Sequence, residues 1–183
     1  MFLATSDYPF AAFLEVHVEE IRAELERLEA GDFQPWLLKD AYQGRWTICG
    51  LFHADADWIL ADSCRRGRMK CPSTYQLIRR IRGLLLAGFS RLEPGTYVYP
   101  HADDSAVETV RCHLPLEVCR EARIRSGGEV RSWEYGRCLA FRSRGVHEAA
   151  NPGRTRRTVL LVDVALDSAR RAIESVAGAG EVA

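Results

Sequence analysis

The sequence has no excess of charge of either sign. Its 25 basic and 25 acidic residues give a formal net charge of zero at neutral pH. A protein that binds nucleic acid or an anionic membrane surface usually carries a basic excess, so this composition favours neither partner. Arginines cluster at Arg65–Arg68, Arg79–Arg82 and Arg154–Arg157, and solvated helix or loop faces are the simplest interpretation of the first two clusters.

Long apolar runs and paired cysteine motifs are also missing. No apolar run approaches the length of a membrane span, and polar and acidic residues follow Met1-Phe-Leu-Ala at once, so we expect neither a spanning helix nor a signal peptide. No Cys-x-x-Cys pair occurs, which argues against a structural zinc site. Without a secretory context we expect a cytoplasmic location and reduced thiols at Cys49, Cys64, Cys71, Cys112, Cys119 and Cys138.

The length and composition suit one globular domain. The chain has 183 residues, of which 47% are hydrophobic and 27% charged, enough to bury a sizeable core. Apolar residues recur at helical spacing from about Phe10 to Leu28, and Ser73 is placed to cap a second helix that runs to about Leu86. A strand is predicted over Trp46–Phe52. The segment 1–86 is therefore expected to be mostly helical with one early strand.

The pattern changes to short β-prone segments separated by turn residues over 87–166. These predicted strands are Phe89–Leu92, Thr96–Tyr99, Thr109–Leu116, Ala122–Arg125, Val130–Trp133, Cys138–Phe141 and Thr158–Val164. Many short strands at close spacing predict a β-sandwich or barrel. A short helix and a tail are expected over 167–183. The sequence as a whole predicts a mainly β fold with flanking helices.

Two histidines and one aspartate carry the main chemical signal. His101, Asp103 and His147 supply two imidazoles and one carboxylate, the ligand set of non-haem iron oxygenases, which leaves other positions of Fe(II) open. Arg157 follows the distal histidine and is placed to hold a carboxylate co-substrate through two parallel hydrogen bonds. This set predicts oxygen activation with 2-oxoglutarate as the reductant.

A second register of the same motif exists and must be weighed. His53-Ala54-Asp55 repeats the His-x-Asp spacing, with His101 then serving as the distal histidine and Arg111 as the arginine. The motif chelates a metal best on an extended segment, because residues i and i+2 share a face there. The β-prone segment Gly95–Pro100 precedes His101, whereas the chain around His53 is typical of a strand that enters a loop. The register at His101 is therefore favoured, and Asp104 is expected to face away from the metal.

One predicted strand shows a clear alternation. In Thr109–Leu116, Val110, Cys112 and Leu114 alternate with Arg111 and His113. The apolar set is expected to face a packed layer. The residues alone leave two possibilities for the polar pair, which faces either a polar cavity or water.

Seven short segments in a fixed order resemble the aspartyl/asparaginyl β-hydroxylase family of iron- and 2-oxoglutarate-dependent oxygenases. The resemblance runs from about Gly44 to Val164. Its segments are Cys71–Thr74, Phe89–Gly95, Pro100-His101, Arg111–Leu114, Ser132–Gly136, His147–Ala149 and Arg157 with Val162–Val164. No segment is specific alone, but their common order is.

The resemblance implies a double-stranded β-helix, which is the jelly-roll type of cupins, with helices packed outside. It places the family's metal histidines at His101 and His147. It assigns the distal carboxylate of 2-oxoglutarate to Arg157 with help from Ser90. Arg111 and His113 match a pair that lines the same cavity, which favours the cavity-facing alternative for their strand and makes both residues further candidates for binding the co-substrate.

Three departures from the family pattern bear on the substrate. Asp103 stands where animal members carry glycine, so this chain is closer to a complete metal triad. Arg142 and Arg144 fall where the family usually has an acidic stretch. Phe52 stands where a tryptophan often lines the pocket.

The implied activity uses Fe(II), 2-oxoglutarate and O2 to hydroxylate an unactivated C–H bond, with release of succinate. The expected substrate is an aspartyl or asparaginyl unit, hydroxylated at its β-carbon, in an amino acid, a small peptide or a carrier-bound intermediate. An anionic substrate is expected because Arg142 and Arg144 add positive charge at the pocket mouth. Arg111 contributes to this preference if it contacts the substrate, and the alternative is that it helps to hold 2-oxoglutarate. The alternatives are hydroxylation of another small molecule on the same fold and a non-catalytic metal- or ligand-binding barrel. The oligomeric state is left open.

Overall fold

Two antiparallel β-sheets lie face to face in the computed structural model, which describes residues 1–55, 57, 59–171 and 173–174. The strands are β1 (Phe2–Leu3), β2 (Gln34–Pro35), β3 (Tyr42–Gln43), β4 (Trp46–His53), β5 (Leu84–Leu92), β6 (Thr96–His101), β7 (Thr109–Glu117), β8 (Arg123–Ser126), β9 (Glu129–Arg131), β10 (Leu139–Arg142), β11 (His147–Asn151) and β12 (Arg157–Ala165). The larger sheet has the order β1-β10-β7-β12-β5-β4-β2, and the smaller has β3-β6-β11-β8-β9. This arrangement confirms the predicted jelly-roll fold.

Helices cover the outer face of the larger sheet. They are α1 (Pro9–Val16), α2 (Val18–Leu25), α3 (Ala61–Lys70), α4 (Pro72–Ile78) and α5 (Leu166–Ala169). Apolar side chains of α1, α2 and α4 pack on alternate residues of β5, β7 and β12 to form the main core. Its largest fully buried members include Phe10, Leu14, Ile21, Ile78, Phe89, Leu114 and Leu160. Burial of this apolar surface is the main favourable contribution to folding.

The opposite face of the larger sheet looks across at the smaller sheet and encloses a cavity. In β7, Val110, Cys112 and Leu114 join the helix-covered core, while Arg111 and His113 line the cavity. The polar pair therefore faces a cavity and not bulk water. The alternation of the strand predicted both faces, and the structure resolves the choice left open by the residues alone.

The N-terminal helical segment is broken at His17, where the sequence predicted one helix. The His17 ring donates from Nδ1 to the Phe13 carbonyl oxygen at 2.8 Å. That carbonyl is the one the His17 amide would use in a continuous α-helix, and the amide bonds Leu14 at 3.1 Å instead. Local competition between side chain and backbone thus divides the segment into α1 and α2.

The second predicted helix is also wrong in its bounds. It ends at Ile78 and not near Leu86, because β5 begins at Leu84. Its first turn is capped by Glu24 of α2, whose buried carboxylate accepts from the Ser73 and Thr74 amides at 3.0 and 2.7 Å. The preceding helix α3 was not predicted. The described part of residues 1–86 accordingly holds four α-helices and four complete strands, whereas the sequence predicted one strand there.

The C-terminal segment, the lengths of the helices and the state of the cysteines can also be compared with the sequence predictions. The expected C-terminal helix is the short α5, and the expected tail after residue 174 lies outside the described residues. None of the helices in the described ranges is long and apolar enough to cross a membrane.

All six cysteines are free thiols. Burial raises the pKa of the Cys49 and Cys71 thiols to about 12, which keeps them protonated and unreactive.

Candidate active site

His101 and His147 are held side by side on adjacent strands. His101 ends β6 and His147 begins β11, and the two residues are direct partners in the ladder. Their ring centroids are 4.3 Å apart. With Asp103 they offer three ligand atoms that lie within 4.8 Å of one another, and no other such trio occurs in the part of the chain that the structure describes. His53 lies instead at the end of β4 in the larger sheet, so the register at His101 is the one the fold assembles.

Backbone carbonyls fix which nitrogen of each imidazole can bind a metal. Nδ1 of His101 donates to the Tyr99 carbonyl oxygen at 2.7 Å, and Nδ1 of His147 donates to the Gly145 carbonyl oxygen at 2.9 Å. A carbonyl only accepts, so the hydrogen sits on Nδ1 and the lone pair on Nε2. Burial, reinforced by the charge of Arg111, lowers the pKa of His147 to about 4 and keeps that ring neutral. The sequence did not identify these carbonyl partners.

Asp103 reaches the histidines from a loop. The sequence placed it on an extended strand, but β6 ends at His101. The Asp103 amide donates to the Ser143 carbonyl oxygen at 3.0 Å, which holds the loop beside β10. Its Oδ1 lies 3.7 Å from Nε2 of His101, so the side chain turns toward the imidazoles as predicted. Asp104 is exposed.

We expect Asp103→Gly to weaken binding of Fe(II) by about 10-fold or more, because the site loses its carboxylate ligand. Asp104→Ala, one residue away, is the matched control and should change the affinity little. Anaerobic titration of the apoprotein with Fe(II) measures both. The opposite ranking of the two variants would mean that Asp104 is the ligand.

The donor set fits a non-haem Fe(II) centre. Two neutral imidazoles with free Nε2 lone pairs and one carboxylate occupy one face of the metal, and the remaining positions stay available for other ligands. His101 and Asp103 are about a quarter exposed, whereas His147 is buried. The ligand cluster therefore lies at the more accessible end of the cavity.

Behind the ligand cluster, residues of both sheets line a cavity. The lining combines an apolar wall with a few polar groups, namely Trp46, Ser90, Val98, His101, Arg111, His113, Ile124, Phe141, His147, Ala149, Arg157 and Leu161. All four residues predicted to bind the co-substrate are among them. Phe52 is not, and Trp46 supplies the tryptophan of the wall.

Arg157 is a buried cation that has no acidic partner among the described residues. It is 2% exposed, and no carboxylate among the described residues forms an ion pair with it. Nη1 donates to the Ser90 carbonyl oxygen at 3.2 Å, the guanidinium carbon lies 4.5 Å from the centroid of the Trp133 ring, and Nε has no partner. Burial lowers the pKa of Arg157 to about 9, so the group is still charged at neutral pH. An anion in the cavity would satisfy it.

His113 offers a second unused donor. Trp133 donates from Nε1 to Nδ1 of His113 at 3.2 Å. An indole N–H can only donate, so Nδ1 accepts and the hydrogen of the neutral ring is on Nε2, which is buried without a partner. Burial, with the charges of Arg157 and Arg111, holds the pKa of His113 well below its usual value. His113 is thus a neutral donor that lines the cavity.

Ser90 is oriented in the same way. Trp46 donates from Nε1 to the Ser90 hydroxyl oxygen at 2.9 Å, which leaves the serine hydrogen for another acceptor. Arg157, His113 and Ser90 therefore supply one charged and two neutral donors to one cavity. Buried donors without partners cost free energy, so their convergence fits a carboxylate ligand such as the distal end of 2-oxoglutarate.

Arg111 differs from Arg157 because it already has acidic partners. It donates from Nε and Nη2 to the two oxygens of Asp163 at 2.8 and 2.6 Å, and Nη2 also lies 2.8 Å from Oδ2 of Asp103. Burial alone lowers its pKa, but the two carboxylates raise it above the ordinary value. The roles predicted for Arg111 toward co-substrate and substrate stay predictions. Asp163 was not singled out from the sequence, and neither was the hydrogen bond made by Trp133.

Comparison with known proteins identifies the family that this chain is similar to. Residues 15–166 match the family model described as aspartyl/asparaginyl beta-hydroxylase. The chain is 30% identical over 140 residues to human aspartate beta-hydroxylase domain-containing protein 2, covering 72% of this chain and 36% of the relative. It is 30% identical over 164 residues to the ornithine lipid ester-linked acyl 2-hydroxylase of Rhizobium tropici, covering 87% of this chain and 58% of the relative. The chain thus spans about a third to three fifths of these relatives.

Solved structures show the same fold. A prolyl hydroxylase from Trichoplax adhaerens, in complex with a fragment of hypoxia inducible factor, superposes with a TM-score of 0.54 at 14% identity and covers 91% of this chain and 93% of its own. That identity supports the fold alone, whereas the family match rests on sequence over most of the chain. With its His-Asp-His cluster and cavity in place, the chain belongs to the aspartyl/asparaginyl β-hydroxylase family.

Proposed function

We propose that this protein is an Fe(II)- and 2-oxoglutarate-dependent hydroxylase. The observation that carries the proposal is the unneutralised Arg157 in the cavity whose accessible end holds His101, Asp103 and His147. A ligand with a metal-chelating end and a distal carboxylate would satisfy both ends of this cavity. In this proposal O2 and 2-oxoglutarate are the co-substrates and Fe(II) is the metal that the three ligands hold.

Three groups of residues have different roles in the proposed reaction. His101, Asp103 and His147 hold the metal, which when bound supplies the oxygen-activating chemistry. Arg157, Ser90 and His113 orient the co-substrate by its far carboxylate. The apolar wall formed by Val98, Ile124, Phe141 and Leu161 excludes water from the reacting groups. The protein therefore contributes binding and orientation of the reactants.

The names of the relatives suggest a common reacting group. In an aspartyl or asparaginyl unit the β-carbon is a methylene next to the side-chain carbonyl. Carbon 2 of an ester-linked acyl group is also a methylene next to a carbonyl. We propose that the substrate presents such a methylene. An aspartyl or asparaginyl unit in an amino acid, a peptide or a carrier-bound intermediate is the leading candidate.

An ester-linked acyl chain is the second candidate. The Rhizobium tropici relative, named for that substrate, is matched over 87% of this chain. Val146, which precedes the ligand His147 and lines a surface pocket with it, is an exposed apolar side chain. It favours contact with an apolar partner beside the ligand cluster.

One experiment separates these functions from a non-catalytic barrel. Purified protein is supplied with Fe(II), 2-oxoglutarate and O2, and succinate release is measured with aspartyl peptides, asparaginyl peptides, free amino acids and acyl esters. A mass gain of one oxygen locates the product. Substrate-dependent succinate without oxygen insertion would indicate an oxygenase with another outcome. No metal binding and no succinate under any condition would support the non-catalytic alternative.

A preference for anionic substrates is a further expected result. Arg142 and Arg144 are half exposed and share one acid, Glu108, at 3.9 and 3.1 Å, so together they leave one positive charge near the site. We expect aspartyl compounds to react faster than lysyl compounds, and the ratio to fall several-fold at low salt in the double variant Arg142→Ala/Arg144→Ala. Arg154→Ala, in the exposed turn after the far end of β11, is the control. Equal turnover of lysyl and aspartyl compounds by the wild type would remove the preference.

A further inference from the structure

The carboxylate of the metal site and the cation of the cavity wall form one network. Asp163 lies directly opposite Arg111 in the pairing of β12 with β7, and the two side chains make a bidentate ion pair inside the protein. Nη2 of Arg111 also contacts Asp103, at 2.8 Å. Arg111 is 7% exposed and Asp163 is also buried, so their ion pair is formed away from bulk water, whereas Asp103 is about a quarter exposed. A single guanidinium thus joins a strand carboxylate to the loop carboxylate.

The two oxygens of Asp103 have different surroundings. Oδ2 is the atom that contacts Arg111, whereas Oδ1 is the atom that lies 3.7 Å from Nε2 of His101. One oxygen is therefore held by the cation while the other faces the imidazoles. A planar guanidinium restricts a carboxylate in both position and rotation, because its N–H groups have fixed directions.

Asp103 needs such a restraint because of its place in the chain. The histidines are fixed by direct strand pairing, but Asp103 lies beyond the end of β6, where a hydrogen bond from its amide to the Ser143 carbonyl oxygen anchors the backbone. A metal ligand on a loop loses conformational entropy when it binds the metal, which weakens binding. Arg111 is itself immobilised by Asp163 and can reduce that cost.

We propose that Arg111, clamped by Asp163, is a positioning residue that presents Asp103 to iron through Oδ1. The inference rests on the proposed metal site and deepens it. Arg111 then has a role other than binding a substrate anion, because it already forms ion pairs with two carboxylates. Arg157 remains available to bind an organic acid.

The test replaces the ion pair without changing net charge. Arg111→Gln combined with Asp163→Asn removes one charge of each sign, so the field at the metal is nearly preserved while the clamp is lost. The combined replacement is made with Asp103 present and in the Asp103→Gly background. Affinity for Co(II), a stable probe for an Fe(II) site, is measured by competition with a chelator, and the visible absorption of bound Co(II) reports the ligand set.

We expect the combined replacement to lower Co(II) affinity about 10-fold when Asp103 is present, the size of effect that partners of metal ligands usually have. In the Asp103→Gly background the same replacement should change affinity less than about 2-fold. The Co(II) spectrum of the combined variant should also approach that of Asp103→Gly, because both lose the carboxylate. Circular dichroism and the thermal midpoint confirm that each variant is folded.

Equal losses in both backgrounds would overturn the proposal, since they would show a general structural effect. A gain in affinity would overturn it in another way, because Arg111 would then withhold Asp103 from the metal. If the combined variant does not fold, Arg111→Lys serves instead. It keeps the charge but not the planar fork, and its loss of affinity should again require Asp103. Failure of the wild type to bind Co(II) would contradict the proposed function itself.

Discussion

His147→Ala is expected to abolish metal binding and turnover while the protein stays folded. The imidazole is one of three ligands, and its Nδ1 hydrogen bond to Gly145 directs Nε2 into the site. Loss of a ligand should exceed the roughly 10- to 100-fold loss of affinity that follows loss of an outer partner. His101→Ala should behave in the same way. Calorimetric titration with Co(II) or Fe(II), with 2-oxoglutarate turnover as the second measurement, gives the size of the effect.

The matched control is His53→Ala, because His53 begins the second copy of the His-x-Asp spacing. It removes an imidazole from the protein without touching the ligand trio, and metal affinity should remain near that of the wild type. Retained binding in His147→Ala together with lost binding in His53→Ala would transfer the site to the other register. A folded His147→Ala with full activity would remove the site assignment altogether.

Arg157→Ala is expected to raise the requirement for 2-oxoglutarate about 10- to 100-fold while metal affinity changes little. The lost interaction is a charge-assisted pair in a dry cavity, worth roughly 1.5–3 kcal/mol. The KM for 2-oxoglutarate and the Kd for Co(II) are measured on the same preparations. Arg156→Ala is the neighbouring control, since Arg156 is exposed and pairs with Glu117 at 2.9 Å. An effect of Arg156 and not Arg157 would contradict the alignment of β12.

The role of Arg157 can also be tested through the thermal stability of the protein without ligand. A buried cation without an acidic partner destabilises the empty protein. Arg157→Met keeps the length of the side chain and removes the charge, so the thermal midpoint of the empty protein should stay equal or rise. Added 2-oxoglutarate should stabilise the wild type and not this variant. A large drop in the midpoint of Arg157→Met would show that Arg157 serves the fold more than the ligand.

The sequence predicted the cavity-facing residues well because strand alternation is a local property. Once β7 was recognised, Arg111 and His113 had to share a face opposite Val110 and Cys112. The strand β11 was missed, although it carries His147. Its sequence, His-Glu-Ala-Ala-Asn, has low strand propensity, and it becomes a strand because it pairs on both sides, with β6 and β8.

Contacts between distant segments were beyond sequence reasoning for a similar reason. Asp163 neutralises Arg111 only because β12 and β7 pair in a register that places the two residues opposite each other. Likewise, Glu24 caps α4 from a helix some fifty residues earlier in the chain. Residue types and spacing identify candidate ligands, but tertiary pairing decides which partners orient them.

The histidines sit in a sheet ladder and Asp103 sits in the segment 102–108, outside both sheets. Amide hydrogens of paired strands exchange with solvent through larger opening events than those of loops, so the two parts of the site should differ in exchange rate. Because Asp103 would join both imidazoles in holding a metal, metal loading should slow amide exchange in the segment 102–108 more than in the strands that carry His101 and His147.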